Sequence, residues 1–474
     1  MNSTSGNTGI PRREFLKSSS ALAALAASGL APLRAEQPAA PRTVGIQVGS
    51  ISFVDEGVGT VFDILQERAA VNTIFLTTFT YGRGLAGRQI PGHPFPDHGV
   101  QEADDKLFHG GNYATPHPEF YRHTVLKATR APDHGELDIV AAVLPEARKR
   151  KMKVFCSIED VFRSDVRGVE EVAEVDLQGR KTGSLCLFHP DVSAFWTGLA
   201  TDLSTSYDID GILFFNERNG PLLNALGASH AQNIASSRVT CFCEHHQRAA
   251  RERGIDFNRA RQGYQKLDHF VQAALRNQRP TDGYFVEFWR LLVEWPEIVA
   301  WDRLFDIGKH EVLKEVRAAV KAVRKNLDVG FHLEHVNSFN PIFRATRRYE
   351  ELATQSDFLK VVVYNNCGGE RYANFIRNVG ATVFRDVPGE ELLGFNNHLL
   401  NYGEEAKLND LAASGLSPDY VARETQRALA GVQGKCRILP GIDIGIPTAK
   451  NSRQASPDDT YAATFAALKA GAQE

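Results

Sequence analysis

Seven times along this chain a short run of β-branched and aromatic residues is followed by a run with helical spacing, and this strict alternation constrains the fold more than any other feature. The strand candidates are residues 43–50, 72–80, 153–158, 211–215, 329–333, 358–364 and 436–442. The helical runs are residues 58–71, 137–152, 193–207, 309–326, 341–354, 420–432 and 458–470. In 309–326, Val312, Val316, Ala319, Val320 and Val323 share one face, with Lys and Arg opposite. A parallel strand pair needs a long crossover, and a helix supplies it, so this order predicts a parallel sheet. Seven or eight such units in succession predict an α/β fold of the (β/α)8 TIM-barrel type. A doubly wound open sheet is the second reading, but no Gly-x-Gly-x-x-Gly turn opens a helix here. No strand candidate follows the helix at 458–470, so the barrel is expected to lack its eighth strand and to keep two open edges.

Two insertions interrupt the alternation. The first, residues 82–124, carries Arg83, Arg88, His93, His98, His109, His117 and His123 among many Gly and Pro residues. Histidines in such a loop serve more often as hydrogen bonders than as metal ligands. The second, residues 219–306, is helical and holds Tyr284, Phe285, Phe288, Trp289, Trp295 and Trp301. Both follow strands, so both are expected on the C-terminal face of the barrel, where barrel active sites lie. The barrel domain is therefore read as residues 42–474.

Residues 1–41 read as a signal segment and linker. Pro11-Arg12-Arg13-Glu14-Phe15-Leu16-Lys17 precedes an alanine-rich apolar run at 21–33, the pattern of twin-arginine export. That run is too short to span a bilayer, and no later run is long enough. The expected location is periplasmic or secreted, with the twin-arginine machinery as partner during export and no stable membrane insertion after cleavage. Net charge is −3 with both signs well mixed, which argues against a nucleic-acid partner. Six cysteines in 474 residues are too few for a disulfide scaffold.

Several strand ends carry carboxylates or amides. The fourth closes on Asn216, Glu217 and Arg218. A carboxyl beside an apolar wall holds its proton more tightly, which suits a general acid. A Glu217–Arg218 pair at a strand end is the structural alternative. The seventh strand leads to Asp443, the fifth to His332 and Glu334, the third to Glu159 and Asp160, and the sixth to Asn365 and Asn366. Acidic and amide groups at several strand ends suit a sugar, whose hydroxyls need hydrogen-bond partners and whose apolar face stacks on aromatic rings. Hydrolysis of a glycosidic bond needs two carboxylates flanking it. Cys241-x-Cys243-x-x-His246 has metal-ligand spacing, with buried cysteines beside surface histidines as the alternative.

The run Asp210-Gly211-Ile212-Leu213-Phe214-Phe215-Asn216-Glu217-Arg218, with Thr240-Cys241-Phe242-Cys243-Glu244-His245-His246 and Arg253-Gly254-Ile255-Asp256, resembles the glycoside-hydrolase-like barrel families. It is similar, more distantly, to family 42 β-galactosidases and to clan A glycosidases. The resemblance implies an acid/base role for Glu217, with Asn216 holding a sugar hydroxyl. It implies a second carboxylate at the seventh strand, where Asp443 stands in place of the clan's Glu, with Glu334 in reserve. Arg218, His332, Asn365, Asn366 and Asp160 would line the substrate site. By analogy with family 42, Cys186 would join Cys241, Cys243 and His246 around a structural zinc, and catalysis would need no cofactor. Two other readings remain. One is a metal-dependent sugar isomerase or epimerase using Glu159, Glu334, His332 and Asp443. The other is a non-catalytic carbohydrate-binding barrel.

Overall fold

The computed structural model describes residues 42–87, 108–228, 238–403, 406–446 and 451–473. The twin-arginine pattern, and Arg88, His93 and His98 of the first insertion, lie outside the described residues. Each of the seven strand candidates forms a strand: β1 (Gly45–Val48), β2 (Thr73–Thr80), β3 (Lys153–Glu159), β4 (Gly211–Phe215), β5 (Asp328–Leu333), β6 (Phe358–Val362) and β7 (Arg437–Gly441). They pair in parallel in sequence order, and a two-residue strand, Gly111–Asn112, adds to β2 antiparallel. Every residue of β2, β4 and β6 is buried. Strands with no polar alternation are covered on both faces, as a helix-flanked parallel sheet requires.

Side chains show that this mostly parallel sheet is curled in the manner of an α/β barrel. Neighbouring strands lie about 4.8 Å apart, so β2 and β6 in a flat sheet would be about 19 Å apart. Yet the rings of Phe75 on β2 and Phe358 on β6 lie 5.9 Å apart, with Phe155 of β3 at 5.1 Å from Phe75 and 5.5 Å from Phe358. Lys360 Nζ on β6 donates to Gln47 Oε1 on β1 at 2.9 Å, across the mouth of the curl. Gly330 makes room for this packing, since a Cβ there would come within 2.1 Å of the Phe358 ring. The parallel set has seven members, and β1 and β7 do not pair with each other among the described residues.

Three helical expectations change. The helix expected at 309–326 begins earlier and runs Glu297–Val323, because Ile298, Trp301, Leu304 and Phe305 extend its buried face. The helix expected at 341–354 divides into Pro341–Thr346 and Tyr349–Leu352. Arg347 leaves helical geometry between them and buries its guanidinium against Glu334 and Asp306. Two helices, Asn366–Gly380 and Gly389–Leu400, follow β6 unforeseen. Glycine lowers helix propensity, but Gly369 here permits close packing: a Cβ would lie 1.9 Å from the Leu411 carbonyl oxygen. No helix among the described residues is long and apolar enough to cross a membrane.

Candidate active site

Side chains of a strand alternate between faces, so residues paired across a parallel sheet share a face. The register pairs Glu159 of β3 with Phe215 of β4, Phe215 with His332 of β5, and His332 with Lys360 of β6. These four form one row at the C-terminal ends of the strands, above the apolar layer of Phe75, Phe155 and Phe358. The Phe215 and His332 rings stack at 4.3 Å.

Glu217 follows β4 and reaches over this row. Its side chain is 44% exposed, while that of His332 is 3% exposed. His332 Nε2 bonds to Glu217 Oε1. The other ring nitrogen, Nδ1, lies 3.4 Å from Lys360 Nζ. Lys360 Nζ also donates to Tyr364 Oη at 2.6 Å. With Nδ1 accepting from Lys360, His332 carries its proton on Nε2 and donates it to Glu217. Burial pushes the Lys360 amine down to about 7, with Glu217 holding it up and Arg371 lowering it. Burial and then the Lys360 charge lower His332, while Glu217 raises it.

Glu159, the first member of this row, is half-buried. The Thr80 hydroxyl donates to its Oε2. Burial pushes its carboxyl up to about 7, Thr80 opposes the rise, and the nearby charges of Glu217 and Asp160 add to it.

The other expected site residues are drawn elsewhere. Asp160 Oδ2 accepts from Asn216 Nδ2 at 2.7 Å and from Arg218 Nη1 at 3.0 Å. Arg218 also pairs with Glu174, so Asn216, Asp160 and Arg218 form a wall behind Glu217. Asp443 is 2% exposed and receives the amides of Cys367 at 2.8 Å and Asn366 at 3.3 Å. Its negative charge thus meets the positive end of helix Asn366–Gly380. Asn366 Nδ2 donates to the same carboxylate, and Asn365 Nδ2 donates to the Leu416 carbonyl. Glu334, 1% exposed, pairs with Lys309 Nζ at 3.0 Å and Arg347 Nη1 at 2.5 Å. Among the described residues, Glu159, Glu334, His332 and Asp443 do not bring three donor atoms within 4.8 Å of one another.

The aromatic run of the second insertion divides, with Phe285 and Trp289 exposed and the rest turned into its packing. Tyr284, Phe288 and Trp301 are buried, and Trp301 packs on Phe242 at 5.4 Å and on His246 at 4.9 Å. In the first insertion, His117 bonds to Asp202 and His109 to the Gly110 carbonyl.

Below the wall, donor atoms of Cys186, Cys241 and His246 lie within 4.8 Å of one another. Cys243 Sγ is 3.2 Å from Cys186 Sγ. Hydrogen bonds from Cys186 and Cys241 hold the Cys243 thiol far below its ordinary range, while burial drives the Cys241 thiol up. His246 is 1% exposed, and neither ring nitrogen has a hydrogen-bond partner among the described residues. Orphaned imidazole nitrogens beside three sulfurs fit a tetrahedral Cys3His zinc site.

Lys360, Gln47 and Arg371 escaped sequence reasoning. A lysine in the run Phe358-Leu359-Lys360-Val361-Val362 was the available signal, because lysine is almost never buried without a partner.

No family model matches the sequence, and neither does any curated protein. Among solved structures, the chain is similar to the PgaB (BpsB) glycoside hydrolase domain from Bordetella bronchiseptica at 14% identity, covering 90% of this chain and 97% of that one with a TM-score of 0.39. It is similar to the β-galactosidase from Rahnella sp. R3 at 14% identity, covering 91% and 49% with a TM-score of 0.48. The β-galactosidase from Halorubrum lacusprofundi gives 11% identity, 91% and 51% coverage and a TM-score of 0.45. This chain spans about half the length of these two β-galactosidases. All three are named for glycosidic-bond chemistry, and at these values none of them assigns an activity to this chain.

Proposed function

We propose that the chain is an exported glycoside hydrolase-like enzyme that cleaves glycosidic bonds on a (β/α)8-type frame. The observation that carries this reading is Glu217, a 44% exposed carboxylate at the C-terminal end of a parallel sheet, bonded to a buried histidine. Chemistry in barrels is done at that end. His332, Lys360 and Tyr364 form a preorganised polar floor beneath it. Asp443 and Asn366, on the same rim, are the sequence-derived candidates for a second carboxylate and a hydroxyl binder.

The test is Glu217→Gln against a panel of aryl glycosides, with and without chelator. The expected result is a fall in kcat/KM of roughly 10²–10⁴-fold, the usual worth of an acid/base group, with wild-type activity resisting chelation. Unchanged activity in the variant would sink the reading. Loss with chelator and recovery with a divalent cation would favour an isomerase. Sugar affinity with no turnover would favour a binding protein.

Two further features belong to this proposal. A structural zinc would be held by Cys186, Cys241, Cys243 and His246, closed by thiolates and remote from the reacting bond. Metal analysis should find one zinc per chain in the wild type and none in Cys241→Ser; equal content in the two would refute the site. Residues 1–41 would direct twin-arginine export. Cell fractionation should then retain an Arg12→Lys, Arg13→Lys variant in the cytoplasm, and its export at the wild-type level would rule the route out.

A further inference from the structure

We infer that Glu159 donates the proton to the leaving oxygen, and that Glu217 is held as the carboxylate by the hydrogen-bond chain running from Lys360 through His332. This rests on the glycosidic reading and deepens it, because it reassigns the two carboxylates.

Glu159 and Glu217 belong to adjacent strand ends. Glu159 pairs in register with Phe215, and the Asp160 amide donates to the Phe215 carbonyl at 2.9 Å, which fixes the two ends side by side. Their surroundings differ in sign. The charges acting on Glu159 are the carboxylates of Glu217 and Asp160, and its one donor among the described residues is the neutral Thr80 hydroxyl. Asp160 is itself answered by Arg218. Glu217 instead accepts from His332 and stands in the field of Lys360 and Arg371, with the Tyr364 phenol nearby. A carboxyl set among carboxylates and a neighbour set among a histidine and cations divide naturally into an acid and an anion.

The other acidic candidates are committed. Asp443 receives backbone amides at a helix N-terminus, and Glu334 is sealed between two cations. Among the described residues Glu159 is bound to no cation; it remains half-buried and is pushed up to about 7, where a carboxyl still carries a proton near neutral pH. In the step, the Glu159 proton passes to the glycosidic oxygen as that oxygen's bond to the anomeric carbon breaks, and the bonding pair leaves with the oxygen. The anomeric carbon takes its new electron pair from the Glu217 carboxylate, or from a water whose proton Glu217 accepts.

The experiment compares the wild type, Glu159→Gln and Thr80→Val on aryl glycosides with good and poor leaving groups. Glu159→Gln should lose roughly 10²-fold or more on phenyl glycosides and far less on dinitrophenyl glycosides, whose departure needs no proton. Thr80→Val removes the Thr80 hydroxyl that donates to Glu159 and should move the basic limb of the kcat/KM profile to higher pH. A Glu159→Gln loss that is equal for both leaving groups, or a basic limb unmoved in Thr80→Val, overturns the inference. Should the wild type cleave no glycoside, the glycosidic reading falls by itself. Infrared difference spectra then read Glu159 directly: a protonated-carboxyl band that titrates near neutrality and vanishes in Glu159→Gln upholds its acid character, and no such band overturns it.

Discussion

His332 and Glu334 lie two residues apart at the end of β5, yet they enter two different charge clusters. Inward, His332 joins Glu217, Lys360, Tyr364 and Gln47. Outward, Glu334 joins Lys309, Arg347 and Asp306, whose side chains are all 5% exposed or less. The outer cluster sets two cations against two carboxylates with every charge sealed from water. The inner cluster has one solvent-exposed member, the Glu217 carboxylate, 44% exposed. A closed ion network seals its charges inside, whereas a network with one carboxylate at the surface presents that carboxylate to solvent and to a ligand.

The comparison breaks most sharply at Arg347. Replacing it with Met leaves Glu334 and Asp306 buried with Lys309 as the remaining cation, and burying uncompensated charge costs about 3–5 kcal/mol. Urea unfolding of Arg347→Met should show a loss of that order, and a loss within ~0.5 kcal/mol would mean that the outer network is slack. Glu217→Gln, by contrast, should change stability by less than about 1 kcal/mol, because an exposed group is removed, while activity collapses. A stability loss in Glu217→Gln as large as that in Arg347→Met would erase the distinction between the clusters.

A last prediction concerns pH. The Lys360 amine is about 7 when folded against its ordinary 10.5. Across that window the unfolded chain binds a proton that the folded chain does not, so this group makes stability rise as pH rises. Lys360→Met should lack that increment. The stability of the wild type relative to the variant should therefore grow between pH 7 and pH 10, and a constant difference would show that Lys360 keeps its proton when folded.

Much of the sheet was legible because strand signals are local. Thr73–Thr80 and Gly211–Phe215 are runs of β-branched, aromatic and aliphatic residues bounded by polar chain, and both form strands within a residue of the expected limits. The break at Arg347 was not legible. Helical spacing continues across it, and the partners that pull it out of the helix come from elements distant in sequence. The same reason hid the neighbours of Glu159, whose strand-end position was plain but whose environment depends on Thr80 of β2 and Glu217 beyond β4.

What the sequence determined by itself was therefore the alternation of strands and helices, and with it the position of Glu217 at the C-terminal end of β4. Hydrophobic periodicity acts over a few residues and needs no knowledge of the rest of the chain. Only the tertiary structure decided which carboxylates would be buried in ion pairs or at a helix end and which would reach the surface. Asp443 meets a helix N-terminus that begins at Asn366, Glu334 meets Lys309 and Arg347, and Glu217 meets a histidine held by a lysine from the next strand. A carboxylate's charge state is set by the few groups within several ångströms of it, and folding, not sequence proximity, chooses those groups.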